Sequence, residues 1–235
     1  IKDLKVQDIM TPIAVGVIHD DSESEVLAAK MLNKANDFDY LVTYLDLKRE
    51  LANYIYPFRK GKFGKLIDRR NINLTDSIEK MLQLLSESPN PLVIYDEESM
   101  DWPSIITKDV ITNSLFLHYI GELCVKVEIK IVNLFKSKGV GEIKINRSRG
   151  PIFVKVDEAT LGQLINSGEG QSIVSDKLKK LISGPSVERR NEGLGFLRNS
   201  IFHSLLGGNN KDYQNGTFNP NICLTVFETR NELND

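Results

Sequence analysis

Residues 111–135 constrain this chain more than any other stretch of its sequence. They form the greasiest run it contains, yet His118, Glu122, Lys126, Glu128 and Lys130 recur through it. No segment reaches the ~20 uninterrupted apolar residues that a bilayer span needs. An amphipathic helix over residues 111–138, stopped at Gly139, accommodates both the apolar and the charged members. The remainder of the chain beyond Gly139 is also mostly helical in pattern. Helices are expected at residues 157–166, 175–183 and 186–206, the last with Pro185 near its start and Gly207-Gly208 after it. Residues 140–156, with Gly139, Gly141 and Gly150 around two short apolar runs, read as a loop or hairpin. The tail at residues 219–228 contains Ile222-Cys223-Leu224-Thr225-Val226-Phe227, which reads as a terminal strand or a partner-binding segment.

Before residue 111 the texture differs. Residues 14–18 and 40–43 read as strands, and residues 22–36 as a helix opened by Ser22 with Glu25 three places on, a capping-box spacing. A second helix is expected at residues 45–56, stopped by Pro57. The pattern then recurs: a helix capped near Asp76 and running through Leu85, strands at residues 91–95 and 104–107, and a helix starting near Asp109. This is an imperfect duplication with a period of roughly 60 residues, each copy too small to stand alone. At 235 residues the chain has room for two cores. The expected fold class is α+β, an N-terminal α/β pair over residues 1–112 followed by a C-terminal helical bundle over residues 113–235.

Charge and cysteine content exclude several classes. A formal charge of -2 excludes a globally basic nucleic-acid binder, so any RNA contact must come from a patch. Cys124 and Cys223 lie far apart in sequence with no metal-ligand spacing, which is neither a disulfide framework nor a zinc site. No metal is expected, and a reducing cytoplasm fits. The opening Ile1-Lys2-Asp3-Leu4-Lys5 has no apolar signal core, so neither export nor membrane insertion is expected.

Two phrases in the first half carry chemistry. Val6-Gln7-Asp8-Ile9-Met10-Thr11-Pro12 leads into a strand, and Leu41-Val42-Thr43-Tyr44-Leu45-Asp46-Leu47 leaves one. A hydroxyl at a strand end and a carboxylate at the next helix start can face one crevice. There Asp46 can accept from both ribose hydroxyls of an adenosine nucleotide, while Thr43 or helix-end amides meet phosphate. The second copy, Ser104-Ile105-Ile106-Thr107-Lys108-Asp109, has one spacer where the first has two. These phrases resemble the CBS domain, two copies of which pair into one module. The resemblance implies an adenine nucleotide as a regulatory ligand held by Thr43, Asp46, Thr107 and Asp109. The alternative is local: Thr43 and Asp46 serve only to cap the next helix.

In the second half the sharpest signal is Gly195-Phe196-Leu197-Arg198-Asn199-Ser200-Ile201-Phe202-His203. Leu194, Leu197, Ile201 and Leu205 form an apolar stripe, which leaves Arg198, Asn199 and His203 to project elsewhere. Asn199 and His203, four apart, share a helix face. These types suit metal-free RNA cleavage. An imidazole moves a proton near neutral pH, a guanidinium offers a planar fork to phosphoryl oxygens, and an amide can orient the imidazole or bind phosphate. The motif resembles the HEPN superfamily, and Glu122 and Glu128 on the preceding helix resemble that family's long first helix. The resemblance implies catalytic roles for Arg198, Asn199 and His203, a homodimer that builds one cleft from two helices, and a role in toxin action, stress or phage defence with an antitoxin as inhibitory partner.

Lys136, Lys138, Lys144, Arg147 and Arg149 fall in one stretch opposed only by Glu142, a candidate phosphate-backbone patch. His19, beside Asp20-Asp21, and His118 earn no role. The expected function is therefore a metal-independent endoribonuclease gated by a nucleotide-sensing module. The rival is a non-catalytic scaffold that docks a protein or RNA.

Overall fold

Short apolar runs in the first hundred residues become strands because each finds a neighbour to pair with. The structure, a computed structural model, describes residues 4–9, 11–12, 15–18, 40–45, 50–59, 62–63, 67–68, 70–88, 90–94, 104–148, 150–186, 188–205 and 219–234. The chain divides into two units, Ile1–Val110 and Ile111–Asp235.

Among the described residues the first unit holds two sheets. One joins β1 (Thr11–Pro12), β9 (Ser104–Ile106), β8 (Leu92–Ile94) and β7 (Arg70–Ile72) in that order. In the other, β2 (Val15–Ile18) runs parallel to β3 (Tyr40–Leu45), which pairs antiparallel with β4 (Glu50–Arg59); β5 (Lys62–Phe63) and β6 (Ile67–Asp68) both pair with β4. Parallel β7 and β8 require a crossover, and α1 (Ile78–Glu87) supplies it. Ser77 caps α1 by accepting from the Lys80 amide, and Ile78, Met81, Leu82 and Leu85 place a buried stripe at helical spacing. Just before the cap, Asp76 accepts from the Asn73 amide and from the Lys80 ammonium. Burial alone would raise the Asp76 pKa, but these donors outweigh it and hold the carboxyl below its ordinary value.

Two expectations for this unit need correction. A helix is expected at residues 45–56, but residues 50–59 form β4. Tyr54, Ile55, Tyr56 and Phe58 favour a pleated surface, and β3 offers the ladder, with Leu41 opposite Tyr56 and Val42 opposite Ile55. Pro57 is not a helix stop; it lies within β4, opposite Tyr40, the first residue of β3. Near Asp109 the chain makes only a 3-10 turn, Lys108–Thr112, before the long helix begins. The helix expected at residues 22–36 lies outside the described residues.

The second unit is organised by α2 (Ser114–Ser137). Asn113 caps it by accepting from the amides of Leu115 and Phe116. At its other end Gly139 adopts φ 78°, the Gly139 amide donates to the Lys136 carbonyl and the Val140 amide to the Phe135 carbonyl. That pair of bonds closes the helix on a residue with no Cβ to strain. Phe116, Ile120, Cys124, Val127, Ile131 and Phe135 are buried along one side of α2. The chain returns through a hairpin of β10 (Glu142–Ile145) and β11 (Ile152–Lys155), then α3 (Leu161–Asn166), α4 (Gly168–Ile173), α5 (Asp176–Ser183), α6 (Leu194–Leu205) and α7 (Pro220–Glu232). Helices α6 and α7 both pack on α2 and on each other, and α5 packs on both.

Here too the expectations shift at the edges. The helix expected over residues 157–166 starts only at Leu161, because Thr160 and Gln163 form a reciprocal cap. Helix α4 has no counterpart among the expected helices, since Gly168 and Gly170 weaken its pattern. Gly170 is required by packing: a Cβ there would lie 2.0 Å from the Leu164 carbonyl oxygen. The helix expected from residue 186 begins at Leu194, preceded by a 3-10 turn at Arg190–Glu192. The tail, expected as a strand or partner-binding segment, is helix α7. Asn219 caps it, Pro220 takes a first-turn position, and Ile222, Cys223, Val226 and Phe227 fall on one buried helical face.

Candidate functional site

The sequence-predicted motif lies on α6, and its apolar stripe does what the spacing requires. Leu194, Leu197 and Ile201 are buried, while Leu205 is half-buried at the helix end. Packing these residues inward turns Arg198 sideways toward α2. There its Nε donates to Glu128 Oε1 at 2.9 Å, its Nη1 donates to Asn199 Oδ1 at 3.2 Å, and its guanidinium carbon lies 4.9 Å from the Phe202 ring centroid. The Arg198 side chain is 41% exposed and that of Glu128 26%. Three neighbours thus fix the guanidinium plane, while Nη2 has no partner among the described residues.

Glu128 is the group that sequence reasoning undervalues. In the sequence it is one charged residue of a long helix, whereas in the fold it is the carboxylate that orients the motif arginine. Its sequence context gives no signal, because Glu122, Lys126 and Lys130 share the helix and only the packing of α6 on α2 singles Glu128 out. Asn199 is expected to orient His203 or to bind phosphate, but its carbonyl is engaged by Arg198. His203 is exposed and makes no hydrogen bond to a described residue.

Arg198 and Asn199 line a groove of about 930 Å³ together with Val125, Glu128, Ile129 and Phe196; His203 does not line it. Ile129 is 54% exposed and Val125 37% exposed, an apolar strip that the described residues leave uncovered.

The basic patch divides. Lys136 lines the groove, but its ammonium pairs with Asp157 Oδ1 at 2.6 Å, so Glu142 is not the patch's sole opposing charge. Lys138 is the C-terminal cap residue of α2, where a cation also complements the helix dipole. Lys144 stands on β10 and Arg147 in the hairpin turn, both exposed and without an ion pair among the described residues. Arg149 lies outside the described residues.

Of the residues assigned to a nucleotide, Thr43 lies on β3, opposite Gly16 of β2. Asp46 lies outside the described residues. Thr107 follows β9, and its hydroxyl donates to Asp109 Oδ2 at 3.3 Å while accepting from the Asp109 amide at 3.3 Å. Thr107 therefore begins the 3-10 turn in the way a serine or threonine begins a helix.

Cys124 and Cys223, distant in sequence, lie on packed helices α2 and α7 as free buried thiols. Burial first, and the nearby Glu128 charge second, push the Cys124 thiol up to about 12, with Arg198 opposing. Burial likewise raises Cys223, and neither thiol is a nucleophile at neutral pH. No cluster of His, Cys, Asp or Glu suited to a metal ion occurs among the described residues, and none of their helices is long and apolar enough to cross a membrane.

No family profile matches the chain, and no curated protein matches it. Among solved structures, a CBS-domain pair with bound AMP from Klebsiella pneumoniae aligns over 48% of this chain and 98% of that chain, with 18% sequence identity and a TM-score of 0.35.

Proposed function

We propose that the second unit is a metal-independent endoribonuclease of HEPN type, acting as a homodimer, and that the first unit is a CBS-like module whose adenine nucleotide regulates it. The observation that carries the catalytic reading is the Glu128–Arg198–Asn199 arrangement. A guanidinium is oriented by a carboxylate from another helix, with one donor edge open, on the helix that also carries an exposed imidazole. In the proposed reaction the RNA 2′-hydroxyl oxygen bonds to the adjacent phosphorus and the bond from phosphorus to the 5′-oxygen breaks. The 2′-hydroxyl proton is lost to one His203, and the departing 5′-oxygen gains a proton from the other. Arg198 neutralises the charge that builds on the non-bridging oxygens. The products are a 2′,3′-cyclic phosphate and a 5′-hydroxyl, and DNA is inert because it lacks the nucleophile.

The uncovered strip of Val125 and Ile129 beside Arg198 supports the homodimer, since a second copy seated there would place two motif helices around one phosphate. A nucleotide that binds one arrangement of the sensor better than another would shift the separation of the two imidazoles; only that difference in affinity can drive the change. A role in toxin action, stress or phage defence, with an antitoxin covering the cleft, follows from the same family reading.

The test is labelled RNA incubated in chelator with the wild-type protein and with Arg198→Ala. Cleavage to cyclic-phosphate ends by wild type, reduced about 10²-fold or more in Arg198→Ala, is the expected result. Absence of cleavage by wild type, or equal cleavage by both proteins, removes the nuclease. One observation favours a second reading, a non-catalytic scaffold: His203 has no described partner to set its tautomer and does not line the groove. A scaffold binds RNA or protein in the same experiment and leaves the RNA whole.

A further inference from the structure

The hairpin of β10 and β11 is two-faced. Ile143 points inward and is fully buried, which by strand alternation puts Glu142, Lys144, Phe153 and Lys155 on the opposite, exposed side. On that side Lys144 is the direct cross-strand partner of Phe153, and Glu142 that of Lys155. Phe153 is the most exposed large apolar residue among the described residues, at 68%. A single exposed apolar residue is ordinary on a protein surface. An aromatic ring flanked by an ammonium across the ladder and another two residues along is a more specific arrangement. Cross-strand neighbours stand ~5 Å apart, and same-face neighbours along a strand ~7 Å apart, so both lysines can reach phosphates on either side of a base lying on the ring. Lys144 has no ion pair among the described residues, and Lys155 has only a long one, 3.8 Å to Glu158, with both side chains 66% exposed. Arg147 in the turn adds a further donor at the hairpin's tip.

We infer that this face is a single-stranded RNA contact in which Phe153 stacks on an unpaired base while Lys144 and Lys155 hold the flanking phosphates. The inference rests on the reading that the second unit binds RNA, and it identifies the class of RNA: strands with exposed bases. A ring can stack on the face of any base, so the contact is tolerant of sequence. A continuous duplex keeps its base faces inside the helix and offers the ring nothing. The charge balance selects a polyanion over an apolar partner, because three cations face solvent here against Glu142 and Glu158.

The test measures affinity by fluorescence anisotropy for a labelled oligouridylate and for a blunt RNA duplex, using the full chain carrying His203→Ala so that the probe stays intact. Phe153→Ala weakens oligouridylate binding about 5-fold or more, while Phe153→Tyr retains it and duplex affinity stays unchanged. Lys144→Gln lowers the slope of log affinity against log salt by about 0.7. Equal oligouridylate affinity with and without the Phe153 ring overturns the inference, as does a protein that binds no oligouridylate at all. Loss of a dimer in sedimentation on Phe153→Ala, with oligouridylate affinity unchanged, assigns the face to a second copy and also overturns it. The nuclease and the hairpin fail separately. Ring-dependent binding by a protein that never cuts RNA leaves the hairpin contact standing, and cutting by a protein indifferent to Phe153 leaves the nuclease standing.

Discussion

At the end of β9, Thr107 and Asp109 bind each other across a single residue; on α6, Arg198 is bound by Glu128, 70 residues earlier in the chain. Both clusters belong to short sequence motifs, and both consist of ordinary polar side chains near the surface. The first joins residues two apart within a single turn of chain. The second exists only because α2 and α6 pack. A hydrogen bond within one turn is legible from neighbouring residues, whereas a guanidinium oriented by a carboxylate of another helix is visible only once the two helices pack.

The contrast between the two clusters is most exposed at His203. His203→Ala should lower RNA cleavage by about 10²–10⁴-fold while the dimer survives in sedimentation; unchanged cleavage by the pure variant would reduce α6 to a packing helix. Glu128→Gln is the next test. It keeps the side chain's shape but weakens the hold on Arg198, and cleavage should fall by about 10-fold, mainly in kcat, with Glu128→Asp restoring part of it. Because both partners are partly solvated, stability in denaturant should change by only about 1 kcal/mol. A drop in stability with no change in kcat would make the pair structural.

For the local cluster, Asp109→Asn should weaken AMP binding about 10-fold in calorimetry if the turn serves a ribose. No change would leave Thr107 and Asp109 as a structural turn. The smallest effect belongs to a second local cluster, Asp76 with Asn73 and Lys80. The folded Asp76 pKa is held below its unfolded value, so its contribution to stability is complete above the ordinary carboxylate range and is lost as pH falls through the depressed value. Denaturant midpoints should therefore decline on acidification below about pH 4, and less so in Lys80→Met, which lacks the ammonium.

Much of the second unit is legible in the sequence because helical periodicity is a local property. The buried stripe of α2 and the stop at Gly139 follow from spacing and from one residue without a Cβ. Errors arise where a partner decides. Residues 50–59 carry aromatic and β-branched residues that favour a strand, but the ladder that decides it comes from β3, and the tail from Asn219 looks like a strand if Ile222-Cys223-Leu224-Thr225-Val226-Phe227 is read as a run. It becomes a helix because Asn219 and Pro220 start one and α2, α5 and α6 cover its buried face.

From order of residues alone came the α+β class, the long amphipathic helix, the apolar stripe of α6 and the placement of Arg198, Asn199 and His203 outside that stripe, since each depends on interactions within a few turns of chain. Packing in three dimensions set the rest: Glu128 holds Arg198, Asn199 serves the arginine and not the imidazole, Asp157 claims Lys136, and Cys124 and Cys223 lie on packed helices. The physical reason is common to all four. A side chain takes its partner from whatever the fold brings within a few ångströms, and that neighbour is set by how the chain packs, not by distance along it; for the two cysteines the same packing buries the thiols and raises their pKa.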